Sequence, residues 1–294
     1  MLKILNTTLS VAAAAIVTLN GMAAPVGAES NSMVRVAAIQ CYSRMGQVEY
    51  NRKLLTGLIE EAAAGGAKIV VMPECAIHGY MDPAADVRWT AARNGTNAGL
   101  RYLGTTSEPV PGPATDYFAK LAAKHGIYLC MALIERAGDK YYNCQVLLNP
   151  TGKMVAHHRK KALWSPGDGL WASEGDLPVQ VVDSEYGKLG LMICYDVHRL
   201  PELLADKKAD IVLYSVGWYG PNTEYWYKSV FPKRYVKTNH FAVIVANWSA
   251  DPDSTGWPGH GYSCIIDSKG NLLNMAKATQ GEEIVFGDLP MRKF

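Results

Sequence analysis

The sequence predicts an α/β protein in which mixed β-sheets are covered by helices. Short apolar runs typical of buried strands alternate with segments of helical spacing near both ends of the chain. In the middle, turn signals at Ala137–Lys140 and Asn149–Gly152 predict hairpins instead. No stretch rich in glycine, serine and proline divides the chain, so we expect residues 29–294 to form a single domain.

The strands are predicted from apolar runs that end at turn residues or at a sudden polar break. The second of them, KIVVM, is apolar throughout and stops at Pro73-Glu74. In chain order the predicted strands are Val34–Gln40, Lys68–Met72, Ile127–Ile134, Tyr141–Leu148, Met154–His158, Val179–Val182, Leu189–Ile193, Asp210–Ser215, Phe241–Asn247, Tyr262–Asp267 and Glu283–Asp288.

The helices are predicted from apolar residues at helical spacing and from their end signals. Gly65-Gly66 ends the first helix, Gly126 ends the second, and Pro201 stands at the first turn of the third. The polar segment from His78 to Glu108 is expected to be a loop that carries short helices. The predicted helices are Gln47–Ala64, Ala114–His125, a segment PELLADKK from Pro201, and Glu224–Asn239.

The first 28 residues have the pattern of a secretory signal peptide. Lys3 precedes an apolar run, Thr8–Leu19, and small residues follow at Val26–Ala28. The run is shorter than the roughly 20 residues that a membrane span needs. We therefore expect the segment to be cleaved and the protein to be exported, to the periplasm in a Gram-negative source, without membrane contact afterwards. An uncleaved N-terminal anchor is the alternative.

The charge and the cysteines exclude several other classes of protein. A formal net charge of +2 without a basic run gives no reason to expect a nucleic-acid partner. The six cysteines are widely spaced and form no CxxC pair, which argues against a disulfide framework and a zinc site. Cys130 and Cys144 flank a predicted hairpin turn and could meet, but neighbouring strand positions can face opposite sides of a sheet.

Three residues of potential chemical importance follow apolar strands. Glu74 comes after KIVVM, Lys160 after Met154–His158, and Cys194 ends the run LGLMIC. Each has an ordinary structural explanation: a solvated loop acid, a member of a basic cluster, and a buried core cysteine. A carboxylate, an ammonium and a thiol at the same end of a sheet could also compensate one another.

These residues and their flanks resemble the nitrilase superfamily of carbon–nitrogen hydrolases, which carries Glu, Lys and Cys in this chain order. The resemblance covers essentially the whole chain after residue 28 and implies a four-layer α-β-β-α sandwich of two mixed β-sheets flanked by helices. It also implies a homodimer or higher homo-oligomer, and no metal or organic cofactor. The motifs that carry it are PECAIHGY, HHRKKAL and ICYDVHRLPEL, supported by DIVLYSVGW, FAVIVAN and GHGYSCIIDSKG.

The resemblance implies cleavage of a non-peptide C–N bond, in an amide or N-carbamoyl compound, through a cysteine thioester. Amides are poor electrophiles, so a thiolate is a useful nucleophile. Cys194 would attack, Glu74 would act as general base, and Lys160 would stabilise the oxyanion together with the backbone N–H of Tyr195. Ammonia would be the released product.

Many members of the superfamily have a second acidic residue in the site. Asp168 falls where amidase-like relatives place a glutamate after Trp-x-Pro, and Glu174 is the alternative. The segment after the cysteine departs from the common pattern, because one additional residue separates Asp196 from Pro201. This insertion leaves the substrate contacts of that segment open.

The substrate is a small molecule whose polarity the sequence does not decide. His198 and Arg199 could bind a carboxylate, whereas aromatic side chains could bind an apolar group or an amine. About half of the aromatic residues in these segments are expected to be ordinary core. The aromatic candidates are Tyr80, Trp164, Trp171, Trp218, Tyr219 and Trp226.

Other functions remain as alternatives. A nitrilase acting on a C≡N group would use the same three residues, although CYD fits amidase branches better than the Cys-Trp-Glu usual in nitrilases. A catalytically inactive binding protein with the same fold is a second alternative. A papain-like hydrolase would need His240 or His260 as its base and would leave Glu74 and Lys160 unexplained. A lipoprotein acyltransferase would need several membrane spans, and the sequence shows none.

Overall fold

Two six-stranded β-sheets pack face to face, and helices cover the outer face of each. The structure is a computed structural model that describes residues 32–80, 103–165, 167–218, 222–250 and 261–291. Its strands are β1 (Met33–Gln40), β2 (Ile69–Val71), β3 (Tyr128–Ala137), β4 (Lys140–Leu148), β5 (Met154–Arg159), β6 (Val181–Ser184), β7 (Gly187–Ile193), β8 (Ile211–Val216), β9 (Ala242–Asn247), β10 (Cys264–Ile266), β11 (Leu272–Met275) and β12 (Glu283–Pro290). The helices that cover the sheets are α1 (Val48–Ala64), α2 (Pro113–His125), α3 (Pro201–Asp206) and α4, a helical stretch over 223–239.

Both sheets are mixed, with a parallel centre and antiparallel flanks. The first has the order β12-β1-β2-β3-β4-β5, in which β1, β2 and β3 are parallel. The second has the order β11-β10-β9-β8-β7-β6, in which β7, β8 and β9 are parallel. Neighbouring parallel strands end at the same edge of a sheet. The residues that follow β2 therefore lie at one edge of the first sheet, and those that follow β7 lie at one edge of the second.

Three apolar cores hold the four layers together. The first sheet packs against α1 and α2, and the second against α3 and α4. The third core lies between the sheets and includes Val71, Leu213 and Ile244. Ile69 and Val71 face this central core, whereas Val70 faces the helices, and this explains why β2 is apolar at every position. The predicted four-layer sandwich is confirmed.

The predicted elements are present, with boundaries that differ by one to three residues. β11 is not among the predictions, because this edge strand is half-exposed and lacks a buried apolar run. Within α4, Trp226–Val230 and Pro232–Lys237 have π-helical geometry around Pro232, which has no N–H to donate. Most of the loop predicted from His78 to Glu108 lies outside the described residues.

All six cysteines lie in the described part of the chain, and none is paired there. Cys130 points into the core between the sheets, whereas Cys144 points toward the helices. They face opposite sides of one sheet, so a bridge between them is excluded by the direction of the side chains. Among the described helices, none combines the length and apolar character needed to cross a membrane.

Candidate active site

Three charged side chains from separate segments of the chain meet in a buried cluster. Glu74 follows β2, Lys160 follows β5, and Asp168 begins a 3-10 helix, Asp168–Leu170. Lys160 Nζ lies 2.8 Å from Glu74 Oε1 and 2.6 Å from Asp168 Oδ2. Each of the three residues is at most 1% exposed. Burial of charged groups at this level requires partners, which these residues supply to each other.

The turn before the 3-10 helix fixes the carboxylate of Asp168. The backbone N–H of Trp164 donates to Asp168 Oδ1 over 2.8 Å, which leaves Oδ2 directed at Lys160. The N–H of Asp168 in turn donates to the Tyr80 hydroxyl over 3.1 Å. A side chain at Gly167 would collide with Tyr80 and Trp164, so this turn requires glycine at position 167.

Cys194 lies at the end of β7 in the second sheet, on a short 3-10 helix, Cys194–His198. Its φ of +39° is unusual for a residue with a side chain and marks a strained turn. The Tyr214 hydroxyl donates to the Cys194 carbonyl oxygen over 2.7 Å and supports this conformation. The turn leaves the thiol half-buried, among the charges of the cluster.

Cross-sheet hydrogen bonds bring the segments that carry Glu74 and Cys194 together. The N–H of Glu74 donates to the carbonyl of Val216, the last residue of β8, over 3.4 Å. Next to this contact, the hydroxyl of Ser215, the residue before Val216, donates to the carbonyl of Met72 over 2.7 Å. Because β8 is the parallel neighbour of β7, these contacts bring the residue after β2 to the edge where Cys194 stands.

Asp196 connects the cysteine turn to the lysine segment. Its Oδ1 accepts from the N–H groups of Lys161 and Ala162 at 2.9 and 2.8 Å. Its Oδ2 lies 2.7 Å from His158 Nε2 and also accepts from the N–H of Ile193 over 3.2 Å. Asp196 is fully buried. One carboxylate therefore fixes the backbone on both sides of the site.

The protonation equilibria of the cluster are strongly shifted. Burial raises the pKa of Glu74; Lys160 opposes this rise, and the charge of Asp168 adds to it. Burial by itself would lower the pKa of Lys160, but the two carboxylates outweigh it and hold the pKa well above its usual value. The lysine is thus a permanent cation, and Glu74 is a more basic carboxylate than one in water.

Burial also raises the pKa of the Cys194 thiol, and the charge of Glu74 adds to the rise. Lys160 and a hydrogen bond from the backbone of Gly217 favour the thiolate but do not outweigh burial. The resting thiol therefore holds its proton, and a base is required to remove it.

Glu74 has one carboxylate oxygen that is not engaged in a hydrogen bond among the described residues. Its Oε1 accepts from Lys160 Nζ over 2.8 Å and from Asn143 Nδ2 over 2.7 Å. Its Oε2 is buried and has no hydrogen-bond partner among the described residues. An ionised carboxylate with one unused oxygen can accept a proton at that oxygen.

Sequence reasoning missed two residues of the site, Asn143 and Trp248. Asn143, on β4, donates to Glu74 and also to Asp168 Oδ2 over 3.1 Å. Trp248 Nε1 donates to the Glu74 carbonyl over 2.6 Å, and its ring leaves no room for a side chain at Gly217. Asparagine is depleted in strands, so a polar residue in the run YYNCQVLL was the available signal.

The structure does not bring every candidate into the buried cluster. Glu174, the alternative second acid, is exposed and accepts from Arg199 Nη1 over 2.6 Å, away from Lys160. The position beside Lys160 belongs to Asp168 instead. The Arg199 guanidinium also donates to the Lys161 carbonyl, which makes it a surface link between two segments.

The predicted pocket residues separate into site, core and surface. The Tyr80 ring packs 4.5 Å from that of Trp248, and Trp164 lies over the Asp168 turn. Trp171 is 7% exposed and packs in a small core with Cys75, Leu103 and Ile134. Trp218 is half-buried and stacks on Trp226 with ring centroids 5.0 Å apart.

His198 is exposed beside the Tyr195 ring, 4.5 Å away, and Tyr219 lies outside the described residues.

One group outside the cluster has the donor set of a metal site. Ligand atoms of Glu135, Cys144 and His157 lie within 4.8 Å of one another. The Glu135 carboxylate is already engaged, because Arg159 Nε and Nη2 donate to its two oxygens over 2.8 and 2.5 Å. A cation would have to displace this guanidinium, so the group is explained by the ion pair.

The chain belongs to the carbon–nitrogen hydrolase family, whose model matches residues 35–293. Among similar proteins, the omega-amidase NIT2 of Homo sapiens is 28% identical over 246 residues, which are 80% of this chain and 81% of that protein. The fold is shared with Nit3 of Saccharomyces cerevisiae, a member of the nitrilase superfamily, at a TM-score of 0.72 and 23% identity, over 88% of this chain and 90% of that one. An amidase from Nesterenkonia sp. superimposes with a TM-score of 0.70 at 22% identity, over 88% and 91% of the two chains.

Proposed function

We propose that this protein hydrolyses the C–N bond of a small linear amide or N-carbamoyl compound through a thioester on Cys194, with release of ammonia. One observation carries the proposal: the buried Glu74 carboxylate has an unused oxygen, Oε2, and its charge acts on a half-buried thiol that needs a base. The family supplies the reaction class.

In the first step, Glu74 Oε2 takes the proton of Cys194 as the sulfur attacks the carbonyl carbon. The new S–C bond turns the carbonyl oxygen into an oxyanion. Lys160 uses two of its three N–H donors on Glu74 and Asp168, so one remains for this oxygen. The backbone N–H of Tyr195 is the second proposed donor.

In the second step, the tetrahedral intermediate collapses as the C–N bond breaks. Protonated Glu74 gives its proton to the departing nitrogen, which leaves as ammonia and produces the thioester. Glu74 is then ionised again and takes a proton from the attacking water. Cleavage of the C–S bond releases the acid, and the proton returns to the sulfur.

Asp168 is the proposed second acid of the site. Its Oδ2 contacts Lys160 and Asn143 but no hydrogen bond to Glu74 is formed, so it serves to hold the ammonium rather than to transfer protons. A shorter acid than glutamate suffices, because Asp168 at the start of the 3-10 helix already reaches Lys160 Nζ over 2.6 Å.

Related proteins support an amide rather than a nitrile as substrate. The matching human protein is named an omega-amidase, and a mutant of the Nesterenkonia amidase has been solved in complex with butyramide. Nitrilases of Arabidopsis thaliana also match, over 60% of this chain. A nitrile substrate is therefore the second candidate. The aromatic rings of Tyr80, Trp164 and Trp218 are proposed to line the substrate position.

We also propose that the protein is exported and self-associates. Export rests on the signal pattern of residues 1–28, and sequencing of the mature N-terminus tests it, with Glu29 expected first. Self-association is supported by large apolar side chains exposed outside the second sheet: Tyr195, Leu203 and Tyr225. Light scattering on the purified protein tests for a dimer or larger assembly.

The experiment that tests the proposed function is a panel assay for released ammonia. Short amides, ω-amides, N-carbamoyl amines and nitriles are compared, with Cys194→Ala as the matched control. We expect turnover of at least one amide or N-carbamoyl compound, and none by the variant. Turnover of nitriles alone would favour the second candidate. Equal rates for both proteins would contradict the mechanism, and a complete absence of turnover would favour an inactive binding protein.

A further inference from the structure

The side-chain amide of Asn143 is shared between two carboxylates. Its Nδ2 donates to Glu74 Oε1 over 2.7 Å and to Asp168 Oδ2 over 3.1 Å. The residue is completely buried on β4. The backbone carbonyl oxygen of Asn143 also accepts from the backbone N–H of Lys160 over 2.8 Å. Asn143 thus contacts all three members of the charged cluster.

A neighbouring thiol fixes the orientation of this amide. Cys75 Sγ lies 3.4 Å from Asn143 Oδ1 and donates to it. Burial raises the pKa of the Cys75 thiol, and the charges of Glu74 and Asp168 add to the rise, so the proton needed for this hydrogen bond is retained. The oxygen of the amide therefore faces the thiol, and the two N–H donors face the carboxylates.

We propose that Asn143 is a positioning residue for the base, a role that rests on the proposed function. By occupying Oε1 of Glu74 and linking it to Asp168, the amide leaves Oε2 as the oxygen that receives the proton of Cys194. The amide adds no charge, so it separates two carboxylates that share one ammonium without changing the net charge of the site.

The pH dependence of the base follows from the groups around it. Hydrogen bonds from Lys160 and Asn143 lower the pKa of Glu74 and oppose the burial that raises it. Removing the amide donors should move the acid limb of Cys194 reactivity to higher pH. The titratable groups whose charge acts together with that of Glu74 are Lys160, Asp168, Cys75, Cys194, Tyr80, Tyr214 and Tyr227.

The test compares two substitutions at this position. Asn143→Leu keeps the branched side-chain skeleton and removes both donors, whereas Asn143→Ser keeps one hydroxyl donor. The readout is the rate of Cys194 alkylation by iodoacetamide between pH 5 and 9, followed by mass spectrometry of the intact protein, with Cys194→Ala as the blank. This reaction needs the base but no turnover. Folding of each variant is checked by thermal denaturation.

For Asn143→Leu we expect the acid limb to move up by about one pH unit, because a hydrogen bond to a charged group is lost. Asn143→Ser should move it less. Asn51 supplies the matched control: it is equally buried, but among the described residues its side chain bonds to the backbone of Arg44 and Ile77 and to no charged group. Asn51→Leu should lower the melting temperature and leave the limb in place.

An acid limb that stays at the wild-type pH in both Asn143 variants would overturn the proposal. If only Asn143→Ser folds, its own shift relative to wild type decides. Failure of the proposed function has a different signature, since the wild-type protein would then release no ammonia while the alkylation profiles could still be compared.

Discussion

Two neighbouring residues at the end of β5 form ion pairs with two different buried glutamates. Arg159 pairs with Glu135 and Lys160 pairs with Glu74, and the pKa values of the two carboxylates shift in opposite directions. Arg159 donates to both oxygens of Glu135, and His157 Nε2 lies 2.9 Å from the same carboxylate. Lys160 contacts one oxygen of Glu74 and one oxygen of Asp168. We call Glu135 with Arg159 and His157 the outer cluster, and Glu74 with Lys160 and Asp168 the inner cluster. In the outer cluster both carboxylate oxygens have donors, whereas the inner cluster has two carboxylates for a single cation.

The pKa values of the two glutamates shift in opposite directions, although Glu74 and Glu135 are 1% and 2% exposed. Burial alone would raise the pKa of Glu135, but hydrogen bonds and charge from Arg159 and His157 lower it below the usual value. Burial raises the pKa of Glu74, and its donors do not reverse the rise. The balance of donors to carboxylates, together with the deeper burial of Glu74, separates a structural ion pair from a candidate base.

The largest expected effect comes from removing the carboxylate of Glu74, the proposed base. Glu74→Gln keeps the shape and the contacts of Oε1 but cannot accept a proton from Cys194. We expect kcat/KM on the best amide to fall between about 10²- and 10⁴-fold. Thermal stability should be kept, since one of two competing negative charges is removed. Retention of more than a tenth of the activity would contradict the role of Glu74.

Removing the shared cation should damage both activity and stability. Lys160→Met leaves Glu74 and Asp168 buried without compensation, so we expect about 3–5 kcal/mol less stability at pH 8. Loss of an oxyanion donor should reduce kcat by about 10²- to 10³-fold.

The pH dependence of the Lys160→Met variant provides a further check. Carboxylates whose pKa is higher in the folded than in the unfolded protein lose stability as the pH rises through the folded pKa. The stability deficit should therefore shrink between pH 8 and pH 5, as measured by urea denaturation at both values. A deficit that grows toward acid would contradict this interpretation of the cluster.

In the outer cluster, Glu135→Gln should affect stability alone. We expect a loss of about 1–3 kcal/mol at pH 7, because charge-assisted hydrogen bonds from Arg159 are weakened. Since the pKa of Glu135 is lowered on folding, its contribution is present above the ordinary glutamate value of 4.5 and is lost as the pH falls through the folded pKa. The difference from wild type should therefore disappear in acid. A loss of kcat/KM above about tenfold would show that the clusters are coupled.

The smallest effect is expected at the exposed pair of Glu174 and Arg199. Exposed ion pairs contribute little, so Glu174→Gln should change the free energy of unfolding by less than about 0.5 kcal/mol. The rate of ammonia release from the best substrate should change by less than about twofold. A rate comparable to that of Glu74→Gln would restore Glu174 as the second acid in place of Asp168.

Much of the fold was predictable because its core strands are apolar on both faces. A run such as KIVVM predicts a strand without knowledge of its partners, and glycines such as Gly126 mark helix ends directly. β11 was not predictable in this way, since an edge strand with exposed side chains carries no such signal. The order of strands within each sheet was equally invisible, because pairing joins residues far apart in the chain.

The sequence by itself determined the layered α/β class and the segments that carry Glu74, Lys160 and Cys194, because apolar runs and motif order are local properties. Only the tertiary structure decided which charges share a partner. It placed Asp168 rather than Glu174 beside Lys160, and it brought Asn143 to both carboxylates. Those contacts join residues on different strands and turns, and burial makes each of them strong enough to set the protonation of the site.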